Sequence, residues 1–508
     1  MAATTTGASD TSSASTEWPS PSELMEKLPS QQQVEVVMFA SPDAGHLIPL
    51  VELARRLATD HGFAVTLVTL TGMSDPAKDA AVLSSLPSSV ATAVLPAVSL
   101  DDLPPDIGFG TLMFELVRRS LPHHRALLEG ASHGPVTALV CDFFGTAALP
   151  LGAQGYVFFA NSLAMISIMR HIVELHGDDA VTGEYRDLPD PLPLPGGPVL
   201  RHADLPDGFR DWNDPVYAYL VEEARRYGRA DGFLVNSFEE LEVAMAETFK
   251  RDAEDGAFPP VYPVGPFVRS SSSEEADESA CLEWLDRQPE DSVVYVSFGT
   301  GGALSVEQTA ELAAGLEMSG HRFLWVVRMP SLDGNPCALG TIPGDKDDPL
   351  AWLPEGFLER TSGRGLAVVA WAPQVRVLSH PATASFVSHC GWNSTLESVA
   401  AGVPMVAWPL YTEQKTNAAF LTEVTGVALR PAARGDGHGL VTREEIAAAV
   451  RELMEGEKGS AVRGRARELR QASKRAWSSE GPSRRAIGEV AGKLKAAAAL
   501  VNGNGSIA

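Results

Sequence analysis

Two doubly wound α/β domains facing each other across a cleft are what this sequence predicts, on three observations. Its 508 residues exceed what one ordinary core holds. Short apolar runs alternate with helix-like stretches in a series that occurs twice. Between the two series, VGPFVRSSSSEEADES (264–279) turns to Pro, Gly, Ser and acid with little to bury, and so marks a linker.

The first series opens with VEVVMFA from Val34, a short buried strand, followed by the turn-like SPDAG and the apolar-periodic helix LIPLVELARRLATDHG. FAVTLVTL (63–70), VTALVC (136–141), GYVFFA (155–160) and GFLVNS (232–237) are further strands, and the helical stretches between them imply a parallel sheet in a domain over 34–263. The second domain, 280–480, repeats the pattern with SVVYVSFG, the helix VEQTAELAAGLEMSG, FLWVVR, LAVVAW, SFVSHC, a helix from about Asn393, MVAWPL and a helix from about Thr412. Residues 329–354, rich in Pro, Gly and Asp, read as an exposed insertion, and 442–501 as successive amphipathic helices. The last of these, 481–501, is expected to pack back on the first domain, with solvated tails at 1–33 and 502–508.

A composition 44% hydrophobic and 21% charged suits a folded chain, and a formal net charge of -25 argues against nucleic acid and anionic lipid as partners. Cys141, Cys281, Cys337 and Cys390 form no C-x-x-C pair, which fits a reducing compartment without a zinc knot. The first 33 residues carry acids and no Arg, unlike a transit peptide, and no apolar run reaches the roughly 18 residues of a membrane span. A cytoplasmic monomer is expected.

Ligands of doubly wound domains bind outside the carboxyl ends of the strands, which places the chemistry in the cleft. After SFVSHC comes Gly391, then Asn393, Ser394 and Thr395 at a helix start, where free N–H groups and the helix dipole favour an anion. His389 at the strand end can donate to phosphate oxygens, and Gly391 lets the backbone approach. Glu413 and Gln414 in the next loop offer the acceptors and amide that pair with vicinal sugar hydroxyls. A sugar diphosphate fits this set. The turn SFGTGG (297–302) is either a tight strand-to-helix connection or a second phosphate contact.

A transfer to an alcohol needs a base, and His, with an unperturbed pKa of about 6.5, is the natural one. His123, His124, His176 and His438 read as solvated surface residues. His46 stands just after the first strand, at the carboxyl edge of the sheet, where it is either a base or a polar residue near a helix start. Asp142 closes VTALVC and is either a helix cap or the acid that orients a histidine.

The 44 residues from Trp371 to Gln414 closely resemble, without a gap, the plant secondary product glycosyltransferase signature of the UDP-dependent glycosyltransferases. SPDAGHLIPLVELARRL, DLPDGFRDW and WLPEGFLERT are similar to the branch with hydroquinone (arbutin) and monolignol glucosyltransferases. The resemblance implies a GT-B fold of two Rossmann-like domains. It implies Trp371 stacked on uracil, the Ala372 backbone and Gln374 at uracil or ribose, and Glu397 on the ribose hydroxyls. His389, Gly391, Asn393 and Ser394 then meet the diphosphate, aided by Ser297 and Thr300, while Trp392, Glu413 and Gln414 meet the sugar. Glucose is the implied hexose, though Glu413 stands where many relatives have Asp and reaches one methylene further. His46 becomes the general base, oriented by Asp142 in DFF, with Phe114, Phe143 and Phe159 walling an acceptor pocket.

Together these imply inverting transfer of glucose from UDP-glucose to a small phenolic acceptor, with no metal and no further cofactor. Flavonoid or terpenoid acceptors remain open. SPDAGH lacks the G-x-G-x-x-G of a nucleotide-dependent oxidoreductase. Two departures from the resemblance stand out: Asp43 replaces a usual glycine before His46, and GTAALPLGAQGYVFF is about four residues short after Asp142. The second, with Pro150 inside it, predicts a clipped helix and leaves open a UDP-sugar-binding protein with little or no turnover.

Overall fold

The computed structural model describes residues 34–70, 76–104, 107–130, 136–151, 154–176, 189–268, 280–337, 348–431 and 439–504. The tail at 1–33, most of the linker (269–279), the middle of the 329–354 insertion (338–347) and His438 lie outside the described residues.

Strands β1 (Glu35–Ala40), β2 (Ala64–Leu70), β3 (Val90–Leu95), β4 (Ala138–Asp142) and β5 (Gly155–Phe159) form the first sheet with β8 (Gly232–Val235) and β9 (Val261–Pro263). Its order is β3-β2-β1-β4-β5-β8-β9, and every pairing is parallel. A small antiparallel pair, β6 (Leu192–Pro193) and β7 (Val199–Leu200), stands apart. The second sheet comprises β10 (Val293–Ser297), β11 (Arg322–Val327), β12 (Gly365–Val369), β13 (Thr383–Ser388), β14 (Met405–Ala407) and β15 (Ala428–Leu429), in the order β12-β11-β10-β13-β14-β15.

Both sheets are covered on two faces, which is why their strands read as continuous apolar runs rather than alternating ones. Within β1 the period of two still decides the face: Val37 and Phe39 enter one core, Val36, Met38 and Ala40 the other. The short strands β3, β9 and β15 carried too little apolar signal to be read from sequence. The strand order reverses between β1 and β4 in the first sheet and between β10 and β13 in the second. Each reversal opens a crevice at the strands' carboxyl ends, and the two crevices face one another.

The helix Ala44–His61 starts on Asp43, whose carboxylate accepts the Gly45 N–H at 2.8 Å, and ends on Gly62 at φ 72°, a left-handed turn that suits glycine. The final helix, Pro482–Asn504, returns across the molecule. Its Ile487, Val490, Ala491 and Leu494 are buried with Val36 and Met38 in the core of the first domain. Full burial of an Ile, Val or Leu side chain contributes on the order of 1.5–3 kcal/mol, so this face anchors the returning chain. Just before it, Trp477 lies under the Arg56 guanidinium, 3.5 Å from the ring centroid.

Two expectations need correction. His124 is not a solvated surface residue: it is buried, edge-on to Phe39 at 4.0 Å between centroids, with Nδ1 2.9 Å from the Ser120 carbonyl oxygen. The amphipathic face of its helix, not the residue's polarity, decided its place, and burial pushes its pKa down to about 4. The side chain of His176 lies outside the described residues. Nor is the whole 329–354 segment an exposed insertion, because Ser331 bridges to Ser305 and Cys337 to Gly302, folding its start against the loop after β10.

Candidate active site

Facing crevices enclose a cleft of about 560 Å³, lined by residues of both domains. Every site residue inferred from the sequence lines it except Asp142, which stands behind His46, and Thr395, which is fully buried in the helix after Gly391.

His46 occupies the first turn of the helix that follows β1. Its Nδ1 lies 3.4 Å from Asp142 Oδ2, long for a hydrogen bond but close enough for strong charge attraction, and its side chain is 22% exposed against 1% for Asp142. Asp142 ends β4, next to β1, so strand pairing sets the approach. Three donors hold its carboxylate: the Ser41 N–H and Ser41 hydroxyl, both at 2.8 Å, and the Phe144 N–H at 3.2 Å. Burial lowers the His46 pKa, but attraction to Asp142, then Asp43 and Glu413, outweighs it and carries the imidazole above its usual value. Asp43 therefore acts twice, as the helix cap and as part of the negative field on His46.

The element after Asp142 is a nine-residue 3-10 helix, Phe143–Leu151, with Pro150 inside it. Its shortness agrees with the clipped sequence, yet Asp142 keeps all three donors. The Thr146 hydroxyl donates to the buried Glu223, which also takes Arg226, and this ties the segment down.

The opposite wall belongs to the second domain. The helix Trp392–Ala401 starts on Gly391, and its first N–H groups have no intrahelical acceptor. The His389 ring lies between Gly299 and Gly391: a Cβ added at either glycine meets Nε2 at 2.6 and 2.4 Å. Both glycines are thus required by the histidine. Burial and the nearby Arg328 push the His389 pKa down to about 4, so it is neutral at pH 7 and offers one N–H. Gln374 Nε2 donates to Ser394 Oγ at 2.9 Å and Glu397 Oε2 at 2.7 Å, binding three predicted residues into one cluster. Trp371 is 58% exposed, an open ring at the cleft edge, while Ala372 is buried. Ser297 and Thr300 flank the turn after β10 and complete the wall.

Trp392 and Gln414 differ from a simple sugar-facing picture. The Trp392 indole is buried, and its N–H donates to the Asn236 carbonyl at 2.7 Å, locking the domains together. Gln414 is also buried, and its Oε1 accepts the N–H groups of Leu410 at 2.9 Å and Tyr411 at 3.2 Å, shaping the turn that presents Glu413. Burial raises the Glu413 carboxyl pKa despite the Thr412 hydroxyl bonded to it.

A second bridge between the domains follows from a proline. Pro49 lies inside the helix Ala44–His61 and has no N–H to give the Gly45 carbonyl four residues back. That carbonyl instead accepts Asn393 Nδ2, from the second domain, at 2.9 Å. The helix that carries His46 and the helix that starts on Gly391 are thereby joined through neighbours of His46 and Ser394.

Three of the described non-glycine residues with positive φ stand beside predicted donor residues: Ala370 (64°) before Trp371, Cys390 (65°) before Gly391 and Thr412 (51°) before Glu413. Strained backbone of this kind persists where surrounding contacts impose it, and it concentrates at working sites.

Phe114, Phe143 and Phe159 do form an aromatic series, with centroids 5.9 Å apart between the first two and 5.7 Å between the last two. Sequence reasoning missed Phe144, whose ring is 5.2 Å from His46 and 4.8 Å from Phe114, although it lies in the same DFF run. It also missed Phe209, Met165 and Tyr295 in the lining, and the half-buried Arg328 just beyond β11. Arg328 was detectable as a charge closing an apolar strand. Among the described residues no group of three or more His, Cys, Asp or Glu gathers as metal ligands, and no helix is long and apolar enough to cross a membrane.

Comparison with known proteins agrees with this architecture. The family profile UDP-glucoronosyl and UDP-glucosyl transferase matches residues 227–463. Hydroquinone glucosyltransferase of Rauvolfia serpentina is 45% identical over 463 residues, 90% of this chain and 97% of that protein. UDP-glycosyltransferase 72B1 of Arabidopsis thaliana is 44% identical over 480 residues, 93% of this chain and 98% of that protein. The solved structure of Phytolacca americana UGT2 complexed with UDP-2fluoro-glucose and pterostilbene is 43% identical, with a TM-score of 0.80 over 91% of this chain and 99% of that one. Likeness of this extent, in sequence and in both sheets, makes the chain a member of the UDP-glucosyl transferase family, a GT-B enzyme of the UDP-glycosyltransferase class.

Proposed function

We propose that this enzyme transfers glucose from UDP-glucose to a hydroxyl of a small phenolic acceptor of the hydroquinone or phenylpropanoid type, by one inverting displacement. The observation that carries the reading is the placing of His46, backed by Asp142, in the same cleft as the open helix start at Gly391, with aromatic rings beside the histidine. The hydroquinone glucosyltransferase and the UGT2 complex named above support the donor and acceptor classes.

In this mechanism the acceptor hydroxyl loses its proton to His46 Nε2 as its oxygen bonds to the anomeric carbon. The bond from that carbon to the diphosphate breaks, UDP leaves with the electron pair, and the α linkage becomes β. Asp142 steadies the imidazolium and keeps Nδ1 protonated, so that Nε2 is the basic nitrogen. Charge developing on UDP meets the first N–H groups of Trp392–Ala401, Asn393, Ser394 and neutral His389, with Ser297 and Thr300 from the neighbouring turn. Trp371 stacks on uracil, while the Ala372 backbone, Gln374 and Glu397 take base and ribose. Glu413, Gln414 and the Trp392 backbone meet the hexose. No step is assigned to a metal.

The test is mass spectrometry of the purified protein with UDP-glucose and a phenol panel that includes hydroquinone and coniferyl alcohol, beside His46→Ala. The expected result is a glucoside from the unaltered protein and a rate on the order of 10²–10⁴-fold lower in the variant, with UDP binding intact. Donor binding without product from any sugar or acceptor would instead identify a UDP-sugar-binding protein without turnover.

A further inference from the structure

We propose that Asp207, a residue of the acceptor-side domain, is a positioning residue that fixes the sugar-reading turn of the other domain and so sharpens the choice of hexose. The proposal rests on the reading of Glu413 and Gln414 as hexose contacts. Asp207 lies in a short 3-10 turn, Asp207–Phe209, at the cleft. Its Oδ2 accepts the Thr412 N–H at 2.7 Å, and its Oδ1 accepts Lys415 Nζ at 2.6 Å and Arg210 Nη1 at 3.2 Å.

Thr412 is one of the strained positions, with φ 51°, and directly precedes Glu413. A β-branched residue is costly in the left-handed region, so something outside the turn must hold it there. Gln414 Oε1 anchors the turn from within, through Leu410 and Tyr411, but makes no contact with the Thr412 N–H. That donor goes across the cleft to Asp207.

A second clip acts three residues earlier in the same segment. The Asp204 carbonyl accepts the Thr416 hydroxyl at 2.6 Å, and its carboxylate accepts Arg430 Nη1 at 2.9 Å. Arg430 also donates to the Lys415 carbonyl at 2.9 Å, so segment 204–207 grips the helix Gln414–Ala419 at two points. Between and beside these clips, Pro206, Gly208 and Phe209 line the cleft. The same few residues thus touch the acceptor space and the sugar-reading turn.

An exposed ion pair contributes little stability, and the Asp207 side chain is 41% exposed. Its importance lies in geometry instead. Without it Thr412 can relax, and the Glu413 carboxylate moves relative to the sugar hydroxyls that distinguish one hexose from its epimer.

The experiment uses the full-length protein, with calorimetry for UDP and UDP-glucose and turnover of UDP-glucose and UDP-galactose on hydroquinone. Asp207→Ala is expected to leave UDP affinity within about twofold. It should weaken UDP-glucose about three- to tenfold and cut the glucose-to-galactose ratio of kcat/KM by a similar factor, the net size of one ordinary hydrogen bond, as suits an exposed carboxylate. Lys415→Met should keep most of the ratio, because the Thr412 contact survives. Asp207→Asn, which retains an oxygen for the Thr412 N–H, should lie near the unaltered protein and serves if the alanine variant misfolds.

An unchanged ratio in Asp207→Ala, equal weakening of UDP and UDP-glucose, or loss in Asp207→Asn as great as in alanine would overturn the proposal. Gln414→Ala separates the two levels. If it leaves both UDP-glucose affinity and the ratio intact, the hexose assignment itself falls, and this inference with it.

Discussion

On the proposed reading, the donor wall of the cleft comes almost entirely from one stretch of chain, Trp371–Gln414, joined by the turn at Ser297–Thr300. The acceptor wall, on the same reading, is assembled from five segments, near residues 43–48, 108–114, 143–144, 159–165 and 206–220. The donor side is rich in polar residues held by directional bonds, as Gln374 is to Ser394 and Glu397. Acceptor residues are chiefly rings in contact, as in the run from Phe114 through Phe144 to His46. A diphosphate and a ribose require fixed directional partners, which a compact strand–turn–helix supplies. A phenol requires shape and apolar contact, which many segments can supply. Changes on the donor side should therefore alter UDP affinity, and changes on the acceptor side should alter chemistry and acceptor choice.

Asp142→Asn should break this comparison most sharply if it is wrong. The variant keeps an acceptor for the Ser41 donors but removes the charge that raises the His46 pKa. Neutral His46 is lost as pH falls, so the unaltered enzyme should lose kcat/KM through a pKa above 6.5. In the variant, desolvation prevails and that limb should move to lower pH, with a rate on the order of a hundredfold lower or more. UDP affinity measured by calorimetry should not change; a matching loss of UDP binding would merge the two walls into one unit.

Trp371→Ala is the reverse test. Removing a ring that is 58% exposed in the free protein leaves no cavity, so folding should be unaffected. Loss of stacking on a base is worth about 1–3 kcal/mol, and with this exposure the lower end is expected, about tenfold in UDP affinity. The KM for hydroquinone should stay within about twofold. A larger effect on the acceptor than on UDP would place the ring in the wrong wall.

The smallest effect on turnover is expected at Glu223, beneath the acceptor wall. Burial raises its carboxyl pKa from 4.5 to about 7, even with Thr146 and Arg226 beside it. A carboxyl raised in the folded state contributes stability below its unfolded value and loses it as pH climbs through the folded one. Stability should therefore fall between about pH 4.5 and 7, by at most about 3 kcal/mol from this group. Glu223→Gln should shrink the drop in Tm between pH 5 and 8 while leaving UDP affinity unchanged. Equal drops in both proteins would show that burial does not raise the pKa of this carboxyl.

Most of the donor wall was legible in the sequence, and the acceptor wall much less so. A strand, a glycine and a helix start within a few residues of each other form a local device, so His389, Gly391, Asn393 and Ser394 could be placed from their order alone. Phe144 was not singled out beside Phe143, because which ring of DFF turns toward His46 depends on a 3-10 helix rather than on spacing. His124 was misjudged because two adjacent histidines look alike in sequence, and only helix phase separates the buried one.

By itself the sequence determined the two parallel sheets and the carboxyl-edge positions of His46, Asp142 and His389, since apolar runs and turn residues act over a few neighbouring positions. Tertiary structure alone decided what those positions mean to each other. The 3.4 Å approach of Asp142 to His46 depends on β1 lying beside β4, and the Asn393 bond to the Gly45 carbonyl depends on the domains meeting where Pro49 leaves that oxygen free. The grip of Asp207 on Thr412 spans 205 positions of the chain. Contacts so distant in sequence follow from how whole sheets pack and face one another, which no local pattern of residues encodes.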